Sequence, residues 1–222
     1  MTESTNLKKL KIIWGQACNT MWLEIAATRT MEAKVKSDWH KIDERKILSD
    51  FYFVGESRGR IRDCTKKYYL ENLDGVINYM ATIRIVMLSA AFESFWDGFL
   101  DDFINSKSRY CSNGIRNDRG NKVYGEIQKS KGMRGKLERW SDITQTRIES
   151  IKPHLDMLND VYMARNIIAH DAGVIEKEYV NTLKFKQFNI GDALTVKPNE
   201  LLTMANSVIN IAEILDGKVR GK

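Results

Sequence analysis

The sequence predicts an all-α bundle of long antiparallel helices that forms one domain over residues 1–222. Two observations support this fold class. Apolar residues recur at steps of three and four along several long stretches, which is the spacing of one buried helix face. The chain also has 222 residues, 43% of them hydrophobic, which is enough to bury a substantial core. No apolar run reaches the roughly 18 to 20 residues that span a bilayer, so we expect no membrane segment.

The first two helices are long. One covers about residues 6–36, in an N-terminal helical extension that we place at residues 1–60. Glycines at 55 and 59 interrupt the pattern, and a second helix is expected from about Asp74 to Ser106. Its stripe contains small residues in the later half, where another helix can approach closely. The stripe comprises Val76, Met80, Ile83, Met87, Ala90, Ala91, Ser94 and Gly98.

Two further helices follow. Pro153 suits a first helical turn, so a helix is expected to begin there and to end at His170, with Gly173 as the stop. Residues 174–197 alternate only in part, which predicts a short β-hairpin or an extended excursion. A last helix is expected after Pro198.

A basic, glycine-rich stretch lies between these helices, at residues 107–139. It carries ten Lys or Arg against three acidic residues, so its net charge of 10 − 3 = +7 accounts for the whole +6 excess of the chain. With five of the fourteen glycines, it is predicted to be mostly loop. Such a loop either follows a phosphate backbone or is a flexible surface excursion. The RNA-binding candidates are Arg116, Arg119, Lys129, Lys131 and Arg134.

The three cysteines, Cys18, Cys64 and Cys111, are odd in number and outside any CxxC or Cys/His spacing. They support neither a disulfide frame nor a zinc site, so we expect reduced thiols, no metal and no cofactor. The N-terminal residues lack the apolar core of a signal peptide, and we therefore expect a cytoplasmic protein.

Chemistry is expected at "ARNIIAHDAG", residues 164–173. Arg165 falls at helical spacing from Leu158 and Val161, so it is expected on the apolar stripe. Asn166 and His170 follow on an adjoining strip. Of the three histidines, His40 and His154 suit ordinary surface roles, whereas His170 is accompanied by an amide and an arginine.

These residues resemble a known family. "RNIIAH" is similar to the R-x4-6-H motif of the HEPN superfamily, and "IRIVMLSAAFESFWDGFLDDFI" resembles its earlier helix, which carries a glutamate, here Glu93. The continuation resembles the HEPN group associated with RiboL-PSP ribonucleases. The resemblance covers roughly residues 74–216, which we take as the HEPN core.

The resemblance implies a metal-independent endoribonuclease that acts as a toxin or as an antiphage, abortive-infection effector. Cleavage by the adjacent 2′-hydroxyl needs a proton-transfer group and a stabiliser of the phosphorane, for which His170 and Arg165 are suited. Asn166 is expected to orient the imidazole or to contact phosphate, and Glu93 to pair with Arg165. One histidine does not readily serve as both acid and base, so the resemblance implies a homodimer with a shared site. A neutralising antitoxin or a defence-system partner is also implied.

Three other interpretations stay open from the sequence. Arg165 is also suited to a structural ion pair with Glu93, Asp97 or Asp160, with His170 as a cation favoured by the helix dipole. The chain is also compatible with a non-catalytic HEPN-like module that binds RNA or protein and dimerises. The last interpretation is an unrelated helical regulator. Turnover of RNA distinguishes the endoribonuclease from the non-catalytic HEPN-like module.

Overall fold

The computed structural model describes residues 3–41, 43, 65–112 and 115–219. Within these ranges the chain forms six helices and one pair of two-residue strands, so the all-α prediction is confirmed. The predicted interruption at glycines 55 and 59 lies outside the described residues, as does Cys64. The elements are α1 (Thr5–Ser37), α2 (Lys66–Asn105), β1 (Cys111–Ser112), β2 (Ile115–Arg116), α3 (Asp118–Gln128), α4 (Gly132–Thr144), α5 (Lys152–His170) and α6 (Pro198–Val219).

Helix α2 is the centre of the bundle and packs against α1, α5 and α6. It begins at Lys66, earlier than the predicted start at Asp74, because the side-chain oxygen of Thr65 accepts the N–H of Tyr68 and caps the helix there. By length and composition α2 could cross a membrane. Half of its most apolar window is buried inside the fold.

Arg84 joins α1 to α2. Its guanidinium is almost fully buried and donates to the carbonyl oxygens of Ala17 (3.2 Å) and Met80 (2.7 Å). The third donor reaches the carboxylate of Glu24 at 2.7 Å. Because each of the three guanidinium nitrogens has an acceptor, the charge is tolerated inside the α1–α2 contact.

Several large residues of the α2 stripe that was predicted to face inward are exposed. Val76, Ile83 and Met87 are 42%, 39% and 47% exposed. The buried face carries Ile85, Leu88 and the aromatic residues that follow them. Both faces carry apolar residues over 76–91, so spacing alone does not distinguish the buried face from the exposed one. We call the exposed side, with Val76, Tyr79, Ile83, Val86, Met87 and Ala90, the α2 apolar face.

The prediction of a loop over residues 107–139 is wrong. This segment contains β1, β2, α3 and the first half of α4. Its two helices each have a short buried stripe between glycines and lysines. The stripe of α3 contains Val123 and Ile127, and that of α4 contains Met133, Leu137 and Trp140. Each stripe is buried at steps of three or four, and this burial outweighs the poor helix propensity of glycine. We call α3, residues 129–131 and α4 the α3–α4 hairpin.

Helices α5 and α6 end the bundle, and the segment between them is the extended excursion that was predicted. It has one isolated bridge, Val174 with Ala193, and no helix. The buried carboxylate of Asp160 on α5 accepts the backbone N–H groups of Lys184 and Phe185. These two hydrogen bonds hold the excursion on α5. The described β-hairpin, β1 with β2, lies earlier in the chain.

Candidate functional site

Helix α5 positions the three motif residues. Its buried stripe is Leu155, Leu158, Val161, Ala164 and Ile167. The sequence predicts Arg165 on this stripe, whereas the structure places it at the border of the stripe, where it is partly buried. From Leu155 onward the stripe advances in steps of three residues. The steps after Val161 therefore fall on Ala164 and Ile167, and Arg165 lies beside the stripe. Arg165 and Asn166 face a cleft beside the core.

The Arg165 cleft has a volume of about 490 Å³ and lies between α2, the start of α4, and α5. Its cations are Lys131, Arg134, Lys136 and Arg165, and its one carboxylate is that of Glu93. The formal charge of the lining is thus 4 − 1 = +3. The uncharged lining residues are Gly132, Met133, Asn159, Tyr162, Met163 and Asn166. A concave surface with an excess of cations concentrates anions from solution.

Arg165 forms its side-chain hydrogen bond with its own neighbour. Nη1 of Arg165 donates to Oδ1 of Asn166 at 3.1 Å. Among the residues that the structure describes, no carboxylate forms an ion pair with this guanidinium. Its remaining donors are therefore open to an anionic ligand in the cleft.

The three carboxylates that the sequence offered as ion-pair partners of Arg165 have other positions. Asp160 accepts two backbone N–H groups of the excursion, and Asp97 accepts from Gln128 at 2.8 Å. Glu93 lines the cleft, without an ion pair to Arg165. The predicted pair of Glu93 with Arg165 is thus absent from the described part of the chain, although both side chains face one cavity.

Tyr162 connects the floor of the cleft to α2. Its hydroxyl donates to the carbonyl oxygen of Ser89 at 3.2 Å. Burial, and then the negative charge of Glu93, raise the pKa of Tyr162 far above the ordinary value of 10.0. Tyr162 therefore stays neutral and acts as a hydrogen-bond donor to α2, so it is not a proton acceptor for chemistry in the cleft.

His170 is the last residue of α5 and is exposed. It is not part of the cleft lining. Five residues on an α-helix correspond to a rotation of about 140° and a rise of about 7.5 Å, so the side chains of Arg165 and His170 leave α5 on different sides. Asn166 is four residues before His170, so it lies closer than Arg165 to the side of α5 that carries His170. Within the described residues, His170 therefore lies outside the cleft that Arg165 and Asn166 line.

The five RNA-binding candidates are not equivalent. Lys131 and Arg134 line the cleft, although Arg134 also pairs with Glu138 and Asp156. Lys129 and Arg119 are exposed on the α3–α4 hairpin. Arg116 is partly buried, lies over the ring of Tyr124 at 4.2 Å and pairs with Asp101. Arg116 therefore connects β2 to α2 and α3.

The sequence interpretation missed Lys136 and Asn159, which also line the cleft. Asn159 lies six residues before Arg165 on α5. Lys136 lines the cleft because α4 is helical. A helix that buries Met133 and Leu137 places Lys136 beside its buried face. The apolar pair Met133 and Leu137, four residues apart, is the sequence signal that could have identified Lys136.

Comparisons with protein-family models, with curated proteins and with solved structures find no match to this chain. Within the described ranges, no group of three or more His, Cys, Asp or Glu side chains is arranged to hold a metal ion. Of the three cysteines, Cys18 and Cys111 are free thiols.

Proposed function

We propose that this chain is a metal-independent endoribonuclease of the HEPN type. The observation that carries the proposal is the partly buried Arg165 guanidinium, which is held by Asn166, faces a basic cleft and pairs with no carboxylate among the described residues. A buried cation without an anion is unfavourable unless a ligand supplies the negative charge. A phosphate of RNA has the charge and the bidentate geometry that arginine binds best.

The reaction follows from these residues. A base removes the proton of the 2′-hydroxyl, the 2′-oxygen attacks the adjacent phosphorus, and the bond to the 5′-oxygen breaks. The products are a 2′,3′-cyclic phosphate and a 5′-hydroxyl that has gained a proton. His170 is the proton-transfer residue, and Arg165 stabilises the extra negative charge of the phosphorane. Asn166 is a positioning residue, because its Oδ1 fixes the orientation of the Arg165 fork. Glu93, the one carboxylate in the cleft lining, is the group proposed for a second proton transfer.

The site is completed by a second copy of the chain. Arg165 and His170 leave α5 in different directions, so His170 of one copy is proposed to reach the Arg165 cleft of the other. The α2 apolar face supports this arrangement. It borders the cleft, since Ala90 lies one helical turn before Glu93, and it exposes Tyr79 at 66% and Met87 at 47%. A two-fold interface uses the same surface on both copies, so one apolar face is sufficient.

The catalytic proposal is tested by incubating the purified protein with total RNA in EDTA. We expect cleavage with 2′,3′-cyclic phosphate ends, and a loss on the order of 10²- to 10⁴-fold in rate for Arg165→Ala and for His170→Ala. Binding of RNA without turnover by the wild-type chain would favour the non-catalytic RNA-binding module instead.

The shared site is tested by mixing the two inactive variants. If the Arg165→Ala and His170→Ala chains exchange subunits, half of the dimers are mixed and each has one intact site of two. The mixture should regain about a quarter of the wild-type rate. A mixture as inactive as its components, under conditions where exchange is demonstrated, would show that both groups act within one chain.

The α2 apolar face is tested separately. Ile83→Arg should give a monomer in sedimentation and should abolish cleavage, whereas Leu23→Arg, at a position that is 71% exposed on α1, should remain dimeric and active. If the Ile83→Arg variant stays dimeric, the second copy does not bind at this face.

In the cell we propose a cytoplasmic toxin or antiphage effector, with an antitoxin or a defence-system protein as the neutralising partner. The support is the likeness of "RNIIAH" to the HEPN motif, together with free thiols at Cys18 and Cys111. Induced expression should arrest growth of the host, and His170→Ala should not.

A further inference from the structure

The wall of the Arg165 cleft that faces α5 is formed by the beginning of α4. Lys131, Gly132 and Lys136 all line the cavity from this side. Neither lysine takes part in an ion pair within the described residues, whereas Arg134 beside them is held by Glu138 and Asp156. The free cations of the cleft therefore come from two walls, with Arg165 on the wall formed by α5 and the two lysines on the wall formed by the start of α4.

The cavity is larger than a single phosphate requires. Its volume of about 490 Å³ is within the range of roughly 300 to 1,000 Å³ in which pockets hold small ligands. Met133 on α4 and Met163 on α5 also line it. A ligand that fills the cavity would therefore meet cations from both α4 and α5, with apolar side chains beside them.

The backbone of α4 adds to the positive character of this wall. Lys131 is the N-cap residue and makes no side-chain cap bond, since an ammonium has no acceptor. Gly132 has a left-handed backbone (φ +68°), which a residue with a side chain would adopt only with strain. The lysines are thus presented beside a helix start whose first N–H groups lack a side-chain partner.

We propose that Lys131 and Lys136 form a second phosphate subsite, so that the cleft binds two phosphates of one polynucleotide chain. The inference rests on the proposed function for the identity of the first phosphate, at Arg165. The substrate class that it predicts is a single-stranded polynucleotide segment that crosses the cleft between α5 and α4. A mononucleotide or inorganic phosphate would occupy one wall only and would bind weakly.

The test uses the full chain and a ligand that cannot be cleaved. A labelled oligodeoxynucleotide lacks the 2′-hydroxyl, so its dissociation constant is measured over a series of salt concentrations without turnover. Lys131→Gln and Lys136→Gln are compared with Lys122→Gln, which removes the same charge from an exposed position of α3 outside the cleft. Competition by inorganic phosphate and by a mononucleotide is measured with the wild-type chain.

We expect each cleft variant to bind the oligomer about tenfold more weakly and to lower the salt slope by about 0.7, the value for one single-strand phosphate contact. Lys122→Gln should stay within about twofold of the wild type. If both cleft variants match Lys122→Gln, or if a mononucleotide competes as well as the oligomer per molecule, the second subsite is refuted. If the chain never cleaves RNA but the two lysine variants weaken binding, the proposed function fails and the subsite stands.

Discussion

Nη1 of Arg165 donates to Oδ1 of Asn166 at 3.1 Å, and no described carboxylate takes that place. Asn166→Asp would convert the neutral acceptor into an anion and satisfy the guanidinium from within the chain. We expect binding of RNA and its cleavage to fall by about tenfold or more, since the new carboxylate competes with phosphate. The measurements are the dissociation constant and the single-turnover rate.

The matched control is Asn206→Asp, which adds the same charge at an exposed position of α6. It should leave both quantities near the wild-type values. Equal losses in the two variants would mean that only net charge matters, and that the Arg165–Asn166 contact has no special role.

A second prediction concerns the packing of α3 on Tyr110, the residue before β1. A Cβ at Gly120 would lie 2.2 Å from the carbonyl oxygen of Tyr110, whereas a Cβ at Gly125 on the same helix would meet nothing within 4 Å. Gly120→Ala should therefore lower the free energy of unfolding by about 1–3 kcal/mol, as overpacking usually does. Gly125→Ala should raise it by up to about 1 kcal/mol through better helix propensity. Denaturant unfolding measures both, and a stabilised Gly120→Ala variant would contradict the close approach.

A third prediction concerns alkaline pH. The folded state raises the pKa of Tyr162, so the neutral phenol is favoured by folding. Its contribution is fully present below the unfolded pKa of about 10 and is lost as pH rises through the higher folded pKa. Above about pH 10 the wild-type chain should lose stability more steeply than Tyr162→Phe, by up to about 1.4 kcal/mol per pH unit. Parallel stability curves for the two chains from pH 8 to 12 would contradict this.

The fourth prediction compares two arginines at the contact of α1 with α2. Arg84→Ala leaves the acceptors of a buried guanidinium unpaired and should cost about 3 kcal/mol or more. Arg29→Ala removes an exposed cation that pairs with Glu32 and Asp74, and it should leave the free energy of unfolding nearly unchanged. Comparable losses in thermal or denaturant unfolding would contradict the greater contribution expected of the buried Arg84.

Helices with uniform apolar stripes were predictable from the sequence, and α1, α5 and α6 begin and end close to the predicted positions. The α3–α4 hairpin was not, because its burial depends on contacts with α2 that local composition does not reveal. Trp140, for example, lies edge-on to Phe99 and Phe103, at 5.3 Å between ring centroids in each case. Such a contact joins residues about forty positions apart and outweighs the glycines that favoured a loop.

Part of the candidate site could likewise be predicted. Arg165, Asn166 and Glu93 were selected from the sequence, and all three line one cleft. The burial of Arg165 was overestimated, since the spacing from Leu158 fits two neighbouring helix strips equally well. Lys136 was missed because it borders the cleft only once residues 132–144 are helical. The face of α2 was chosen wrongly because both of its sides are apolar over residues 76–91.

The two walls of the Arg165 cleft have separate origins in the chain. Arg165 and Asn166 belong to α5, which packs directly on α2 and α6, whereas Lys131 and Lys136 belong to the α3–α4 hairpin. The hairpin is one continuous stretch of chain between α2 and α5, and it packs on both of these helices. Substitutions along its exposed edge therefore change the charge of one side of the cleft without replacing any residue of the helix that carries Arg165.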